Sequence, residues 1–445
     1  MKLSSNVALP VLAAVVLGTL VTSEIVVRPK VIEDRIVVTY WEKWTSIEYE
    51  AIKAVVDEFN SSQDEIYVDL LSVSGIHNKT LMATAAGVPP DVAGLFGPNI
   101  AQYVHDRAVI PLNDFVREAG IERDDYIHIY WDICEFEGSI YALPATPAST
   151  ALHWNRAMFA RAGLDPNVPP RTIEELDAYT AALTNFRDDG SIDESGFMHK
   201  EPGWWNWGWG YVFGGELWDG VSEITCDSPE NVRAFEWVLD HAEKYGSTKL
   251  QNFQSGFGKF ASPQNAFFSE RVAMVLQGGW MGNFIEQFNP ELDWAAAPFP
   301  YPEDRPDLAG RTFADLDILV IPRGAKHPKE AFEFIKFVQS QEGMELLCMG
   351  QKKHSPLAES SEKFYSEHPN PYIRLFTDMP KSDSVVSPPK IAIWPEYASE
   401  LVNAFDEIFI NKVEPKVALG KVKQRMQPAL DRYLRQKKLR EEAER

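Results

Sequence analysis

Cysteine is scarce: Cys134, Cys226 and Cys348 are the only three in 445 residues, and no two form a CxxC pair. That excludes a zinc ribbon and a thioredoxin-like redox motif, and an odd count permits at most one disulfide within the chain. The sequence also has no HExxH, no GxSxG and no Walker P-loop, which removes the corresponding metalloprotease, hydrolase and nucleotide readings. The run Gly208–Gly214 is one residue too long for GxGxxG, and no strand of the right type precedes it. Asp188-Asp189-Gly190-Ser191-Ile192-Asp193 resembles a calcium loop, but its twelfth position is His199 or Lys200 where Glu is required, so it reads as a polar hairpin turn. The histidines are scattered without metal-ligand partners and read as surface or hydrogen-bonded groups. No metal or cofactor is expected.

Positive charge is also short, with 43 basic against 65 acidic residues and a formal charge of −22. A nucleic-acid partner would need a concentrated basic surface, so this class is excluded. No internal repeat is present. The length suggests two or three lobes, and 45% hydrophobic with 24% charged residues describes a soluble, core-forming chain.

One long apolar run does occur, from Val7 to Val21, behind Lys2. A short basic start followed by such a run is an export signal, with Val21-Thr22-Ser23 as a plausible cleavage point. Apolar residues resume at Ile25-Val26-Val27, nearly completing the roughly 20 residues needed to span a bilayer. Residues 1–30 are thus a signal peptide or a retained anchor. Either way the body lies outside the cytoplasm, and no cysteine follows the run to carry a lipid.

The body alternates strand and helix patterns, the signature of a parallel α/β sheet. Ile36 to Trp41 reads as a buried strand. Thr45-Ser46-Ile47-Glu48 reads as a capping box opening a helix whose apolar face is Ile47, Ala51, Ile52, Val55, Val56 and Phe59. Strands follow at 66–73, 91–96, 271–277 and 316–321. Thr172-Ile173-Glu174-Glu175 is a second capping box, and Ser228-Pro229 starts a helix with Pro in its first turn.

The unusual content is aromatic: 13 tryptophans, several beside glycine and polar residues at strand ends. Ligands of α/β sheets bind outside the carboxyl ends of the strands. Trp41-Glu42-Lys43-Trp44 and Phe96-Gly97-Pro98-Asn99 end two strands. Gln277-Gly278-Gly279-Trp280 ends another, and Asp315 and Asp317 fall just before or within a fourth. Four tryptophans crowd Gly203–Gly210, and Trp394 precedes Pro395. Flat aromatic faces suit the apolar faces of pyranose rings, while carboxylates take their hydroxyls. The plainer alternative is that some of these rings simply pack inward.

These segments, in this order, resemble the extracellular solute-binding proteins of the sugar-binding class of ABC importers, the group that includes the maltose-binding protein. Val38-Thr39-Tyr40-Trp41, Gly87-Val88-Pro89-Pro90-Asp91-Val92, Gly138-Ser139-Ile140-Tyr141-Ala142-Leu143-Pro144 and Leu152-His153-Trp154-Asn155-Arg156 carry the first half of the likeness. Arg271-Val272-Ala273-Met274, Gly278-Gly279-Trp280 and Ile321-Pro322-Arg323-Gly324 carry the rest, over residues 35–430.

The resemblance implies an α/β, two-lobed periplasmic-binding-protein fold (type II, Venus-flytrap) with three hinge crossings, near 145–150, 312–316 and 357–369. Lobe 1 would comprise 31–146 plus 316–362 and lobe 2 147–315 plus 363–435, with 436–445 a charged tail, a solvated helix end or a frayed one. The implied ligand contacts are Trp41, Glu42, Trp44, Phe96, Asn99, Thr146, Trp205, Trp207, Gln277, Gly278, Trp280, Asp315, Asp317 and Trp394. Cys134 and Cys348, both in lobe 1, would be the disulfide pair. The implied partners are a small-molecule carbohydrate and the transmembrane permease subunits of an ABC importer, met by a monomer in the periplasm or tethered outside the cytoplasm, with no catalysis. Tryptophans and carboxylates in a cleft also fit a glycoside hydrolase, and a sugar sensor coupled to a membrane receptor is a third reading.

Overall fold

The computed structural model of the chain describes residues 34–201, 206–258 and 260–444. The expected export segment and Trp205 lie outside the described residues. Among the described residues, no helix is long and apolar enough to cross a membrane.

Ile36–Glu42 (β1) alternates burial along its length, with Val38 and Tyr40 fully enclosed. It pairs in parallel with Ile66–Ser72 (β2) and Val92–Phe96 (β3). Ser46–Ser62 (α1) connects β1 to β2 and buries Ala51, Ile52, Val55, Val56 and Phe59, the stripe predicted from its period. Leu143–Asn155 (β4), Ile192–Phe197 (β5), Val272–Gly278 (β6) and Thr312–Val320 (β7) follow. Across the sheet the order is β2-β1-β3-β7-β4-β6-β5, ending on the short strand Asn185–Phe186.

The sheet serves two lobes. Around β1–β3, Leu319 and Ile321 face one side with Phe334 and Leu347, while Ile318 and Val320 face the other with Leu95 and Tyr103. The far end of β4, with β5 and β6, supports a separate core that includes Trp154, Phe197, Met274, Phe235, Tyr397 and Leu430. Strands β4 and β7 lie side by side between them, antiparallel, with Leu316 opposite Pro147. Two of the links between the cores are therefore sheet strands rather than loose loops.

The expected disulfide does not exist. Cys134 and Cys348 are buried free thiols, as is Cys226. Cys134 packs with Ile318 and Val320 on one face of the first-lobe sheet, and Cys348 with Leu319 and Ile321 on the other. Sharing a lobe did not bring them together because the sheet lies between them.

Two local expectations also change. Thr45 is the N-cap of α1 but makes no side-chain cap bond, and Glu48 instead turns toward Lys353, 3.5 Å away. Of the second box only half forms, since Thr172 accepts from Glu175 N but Glu175 accepts from Arg171 N, while the third signal holds, Ser228 accepting from Asn231 N ahead of Pro229. The histidines are not surface groups throughout. His199 and His241 are buried with ring centroids 4.6 Å apart, and His199 meets Trp237 edge-on at 4.0 Å. Among the described residues neither His199 nitrogen has a hydrogen-bond partner. Its neutral ring packs as an aromatic.

The last helix, Pro415–Glu444, continues into the charged tail, which is therefore a helix end. Ala418, Leu419, Val422, Met426 and Leu430 root it in the second-lobe core. Lys437 then pairs with Glu137 at 2.9 Å, and Arg440 donates to the His105 carbonyl at 3.0 Å.

Candidate functional site

The carboxyl ends of β1 and β3 open into a cleft of about 1520 Å³ between the lobes. From the first lobe it is lined by Lys43, Trp44, Glu48, Phe96, Asn99 and Lys353, and from β7 by Asp315 and Asp317. Trp207, Phe260, Trp280, Phe284 and Trp394 line the opposite side.

The floor is ionic, and the strands explain why. Opposite β3, Asp317 pairs with Phe96; opposite β4, the register shifts between Leu316 and Ile318, so that Ala145 and Thr146 face Asp317 alone. Such a bulge re-aims a side chain, and Pro144 and Pro147 flanking it cannot donate to the ladder. Asp317 reaches Lys43 Nζ at 3.0 Å and Lys353 Nζ at 3.4 Å and accepts from Thr146 Oγ1 at 3.2 Å. Burial works to raise its pKa, but the two ammoniums outweigh it and hold the carboxyl below its ordinary value. Asp315, two residues earlier, accepts among the described residues from Leu316 N alone, at 2.7 Å, and burial pushes its pKa up to about 7.

Beneath that layer, Glu42 is fully buried. It accepts from Tyr40 Oη at 2.6 Å, from Lys43 N at 2.7 Å and from Lys43 Nζ at 3.1 Å. Burial raises its pKa despite Lys43. For Lys43 itself burial acts to lower the pKa, but Asp317 and then Glu42 overcome it, so the group is raised. Gly94 makes room for this arrangement: a Cβ there would stand 1.8 Å from Glu42 Oε2. The residue must be glycine for space, not for turn geometry.

The wall is aromatic. Trp280 lies flat over Gly278, whose added Cβ would meet the indole at 2.1 Å. Its Nε1 donates to Gln277 Oε1 at 3.0 Å, which fixes the ring's direction. Trp207 stands edge-on to Trp394 at 4.8 Å and to Phe313 at 5.1 Å. Trp394 is the first residue of the helix Trp394–Asn411, so its ring is carried on a rigid element.

Of the residues expected to touch ligand, Trp44, Phe96, Asn99, Trp207, Trp280, Asp315, Asp317 and Trp394 line one cleft. Glu42, Thr146, Gln277 and Gly278 do not line it; they sit behind the lining residues and position them. Trp41 packs against the first-lobe face that holds Ile318 and Val320. Lys43, Glu48 and Lys353 are additions. Lys43 stands inside the Trp41–Trp44 motif, where the aromatic residues carry the stronger signal, while Lys353 follows a helix and carries no local signal. Among the described residues, no group of three or more His, Cys, Asp or Glu could hold a metal.

A two-lobed α/β scaffold with an aromatic and ionic interlobe cleft defines a solute-binding protein. The chain belongs to the bacterial extracellular solute-binding protein family, whose model matches residues 43–345. It is 22% identical over 280 residues to the sn-glycerol-3-phosphate-binding periplasmic protein of Pectobacterium atrosepticum, covering 59% of this chain and 60% of that one. A binding protein of Brucella abortus is 22% identical over 349 residues, covering 75% and 78%. Among solved structures, CpMnBP1 with mannotriose bound is similar at 26% identity and a TM-score of 0.78, covering 87% of this chain and 99% of that one. An ABC substrate-binding protein of Listeria monocytogenes in complex with cycloalternan shares the fold at 16% identity and a TM-score of 0.74, covering 89% and 100%.

Proposed function

We propose that this chain captures an oligosaccharide of two or more rings between its lobes and delivers it to the permease of an ABC importer, without chemically altering it. The observation that carries this reading is the pairing of tryptophan faces with buried polar edges around one cleft. Trp44 and Phe96 approach from one lobe and Trp207, Trp280 and Trp394 from the other. A sugar reaching both sets would favour the closed arrangement by its differential affinity for it. The likeness to a mannotriose-bound protein supports a short manno-oligosaccharide as the first ligand to test.

The lobes we propose are 31–146 with 316–373, and 147–315 with the chain from Ile391 onward. Phe364 and Ile373 pack in the first lobe and Ile391 in the second, which favours a later third crossing than the likeness implied. The amino-terminal segment exports the body, whether it is then removed or kept as a tether.

Thermal unfolding against mannobiose, mannotriose, maltose and maltotriose tests the reading. A bound sugar at 100 times its Kd should stabilise the fold by about 2.7 kcal/mol. If none of the four shifts the transition, oligosaccharide capture falls. Incubation with mannotriose should release no reducing sugar; release would restore the hydrolase reading, for which Asp315 and Asp317 in one cleft are the candidates.

A further inference from the structure

Two lysines in an aromatic cleft invite an anion. Lys43 and Lys353 both lie at the floor, with side chains only 10% and 6% exposed. Relatives of this chain are named for binding glycerol-3-phosphate. The hydrogen-bond inventory of the two ammoniums points the other way.

A lysine has three N–H donors and no acceptor. Lys43 Nζ meets Asp317 Oδ1 at 3.0 Å, Glu42 Oε1 at 3.1 Å and the Leu95 carbonyl at 3.4 Å. Lys353 Nζ meets Thr146 Oγ1 at 3.1 Å, Asp317 Oδ2 at 3.4 Å and Glu48 Oε1 at 3.5 Å. Each ammonium has two hydrogen-bond acceptors within the protein, Glu42 and Leu95 for Lys43 and Thr146 and Asp317 for Lys353, and one further carboxylate as an ion pair. The charges balance against an anion as well, since Glu42, Asp317 and Glu48 surround two ammoniums and Asp315 stands beside them. The ammoniums also lie over ring faces, Lys43 at 4.6 Å from Trp44 and 4.8 Å from Phe96, Lys353 at 5.5 Å from Trp44. An incoming phosphate or uronate would have to break an internal pair to reach either lysine, and would meet uncompensated carboxylates.

We infer that Asp317 is the specificity-determining residue of the cleft: by engaging Lys43 and Lys353 together it makes the site reject anionic ligands and accept uncharged ones. Among the described residues it is the one carboxylate paired with both lysines, one through each oxygen. Removing its charge leaves one amide oxygen to be shared by the two lysines, so two ammoniums face the cleft with one carboxylate fewer. The inference rests on the capture reading above and adds the ligand's charge class to it.

The test is calorimetric titration of the full chain and of Asp317→Asn with mannobiose, glycerol-3-phosphate and digalacturonate. The full chain should bind mannobiose and give no heat with either anion at millimolar concentration. Asp317→Asn should gain at least about tenfold in affinity for the anions, the worth of one charge-assisted hydrogen bond, and the gain should fade with added salt. Circular dichroism establishes that the variant is folded. If it is not, Glu48→Gln frees Lys353 alone and should give a smaller gain of the same sign. Anion binding by the full chain as tight as its mannobiose binding overturns the inference, and so does a folded Asp317→Asn with no gain. Failure of every neutral sugar overturns the capture reading instead; an anion gain in the variant would still stand by itself.

Discussion

On one side of the cleft stand Lys43, Lys353, Asp317 and Glu48, held by ion pairs and by a strand bulge; on the other stand Trp207, Trp280 and Trp394, held by packing. The two sides are made rigid by different physics. The ionic floor is fixed because each charge has specific partners at set distances, and removing one strands the others in a poorly solvated place. The aromatic wall is fixed by shape: a ring on a glycine, a ring edge-on to another ring. A wall of that kind binds many flat apolar faces with little discrimination, whereas a self-neutralised floor discriminates strongly by charge. Affinity should therefore reside mostly in the wall and selection in the floor.

Acid acts on the two sides through different groups. His153 and His241 are buried and neutral, and burial lowers the pKa of each to about 3. In the unfolded chain both titrate near 6.5. Between those values the unfolded state binds more protons, so the stability these groups contribute is present above pH 6.5 and is lost as the pH falls. The slope approaches about 1.4 kcal/mol per pH unit for each below pH 6, or roughly 3 kcal/mol for the pair between pH 6.5 and 5. Asp317 has its pKa lowered, so its contribution persists until below the ordinary carboxylate range. Acid should thus loosen packing in the second lobe through His153 and His241, and beside Lys353 through His354, whose pKa burial also lowers to about 3. Asp315 takes up its proton, while the Asp317 pairs with Lys43 and Lys353 persist. Thermal unfolding from pH 7 to pH 5 should show a steep fall in Tm, and His241→Phe should remove one proton from the slope. A flat Tm across that range would remove the contrast.

The next effect is at the floor. In Gly94→Ala the new methyl collides with Glu42 Oε2, and neither β3 nor β1 can move without disturbing the sheet. Overpacking of this kind costs about 1–3 kcal/mol. Displacement of Glu42 also takes an acceptor from Lys43. Chemical denaturation should register the loss of stability, and the ranking of neutral over anionic ligands should weaken with it. If Gly94→Ala is as stable and as selective as the parent, the floor is more plastic than its ion pairs indicate.

Much of this was legible from residue order. β1, α1, β2 and β3 announce themselves by period, and the strand-end motifs point Trp44, Phe96 and Trp280 to the carboxyl-end crevice, while Asp317 enters the ligand set only through the family resemblance. Periodicity could not tell lining from support. Glu42 and Gln277 sit one or three residues from a ligand-facing neighbour and differ from it only in direction. Lys353 enters the floor from a position 36 residues beyond Asp317, a pairing only the fold creates. The disulfide expectation failed for the same reason: lobe membership is readable in a sequence, but the face of the sheet a thiol lands on is set by its element's orientation.

The wall provides the finest test. Trp280→Ala should cost about 2 kcal/mol of ligand affinity, roughly 30-fold, by removing a stacking face. The loss should be similar for mannobiose and maltose, because a ring face does not read hydroxyl stereochemistry. Gln277→Leu keeps the ring and removes only the acceptor for its Nε1, 3.0 Å away. That indole N–H then loses its partner and the ring its fixed direction, at a cost of about 1 kcal/mol. Calorimetry on both variants with both sugars separates the roles. If Trp280→Ala changes which sugar is preferred, the wall selects as well as binds, and the division between floor and wall gives way. Equal losses for both sugars, larger in Trp280→Ala than in Gln277→Leu, would keep selection with the charges of the floor.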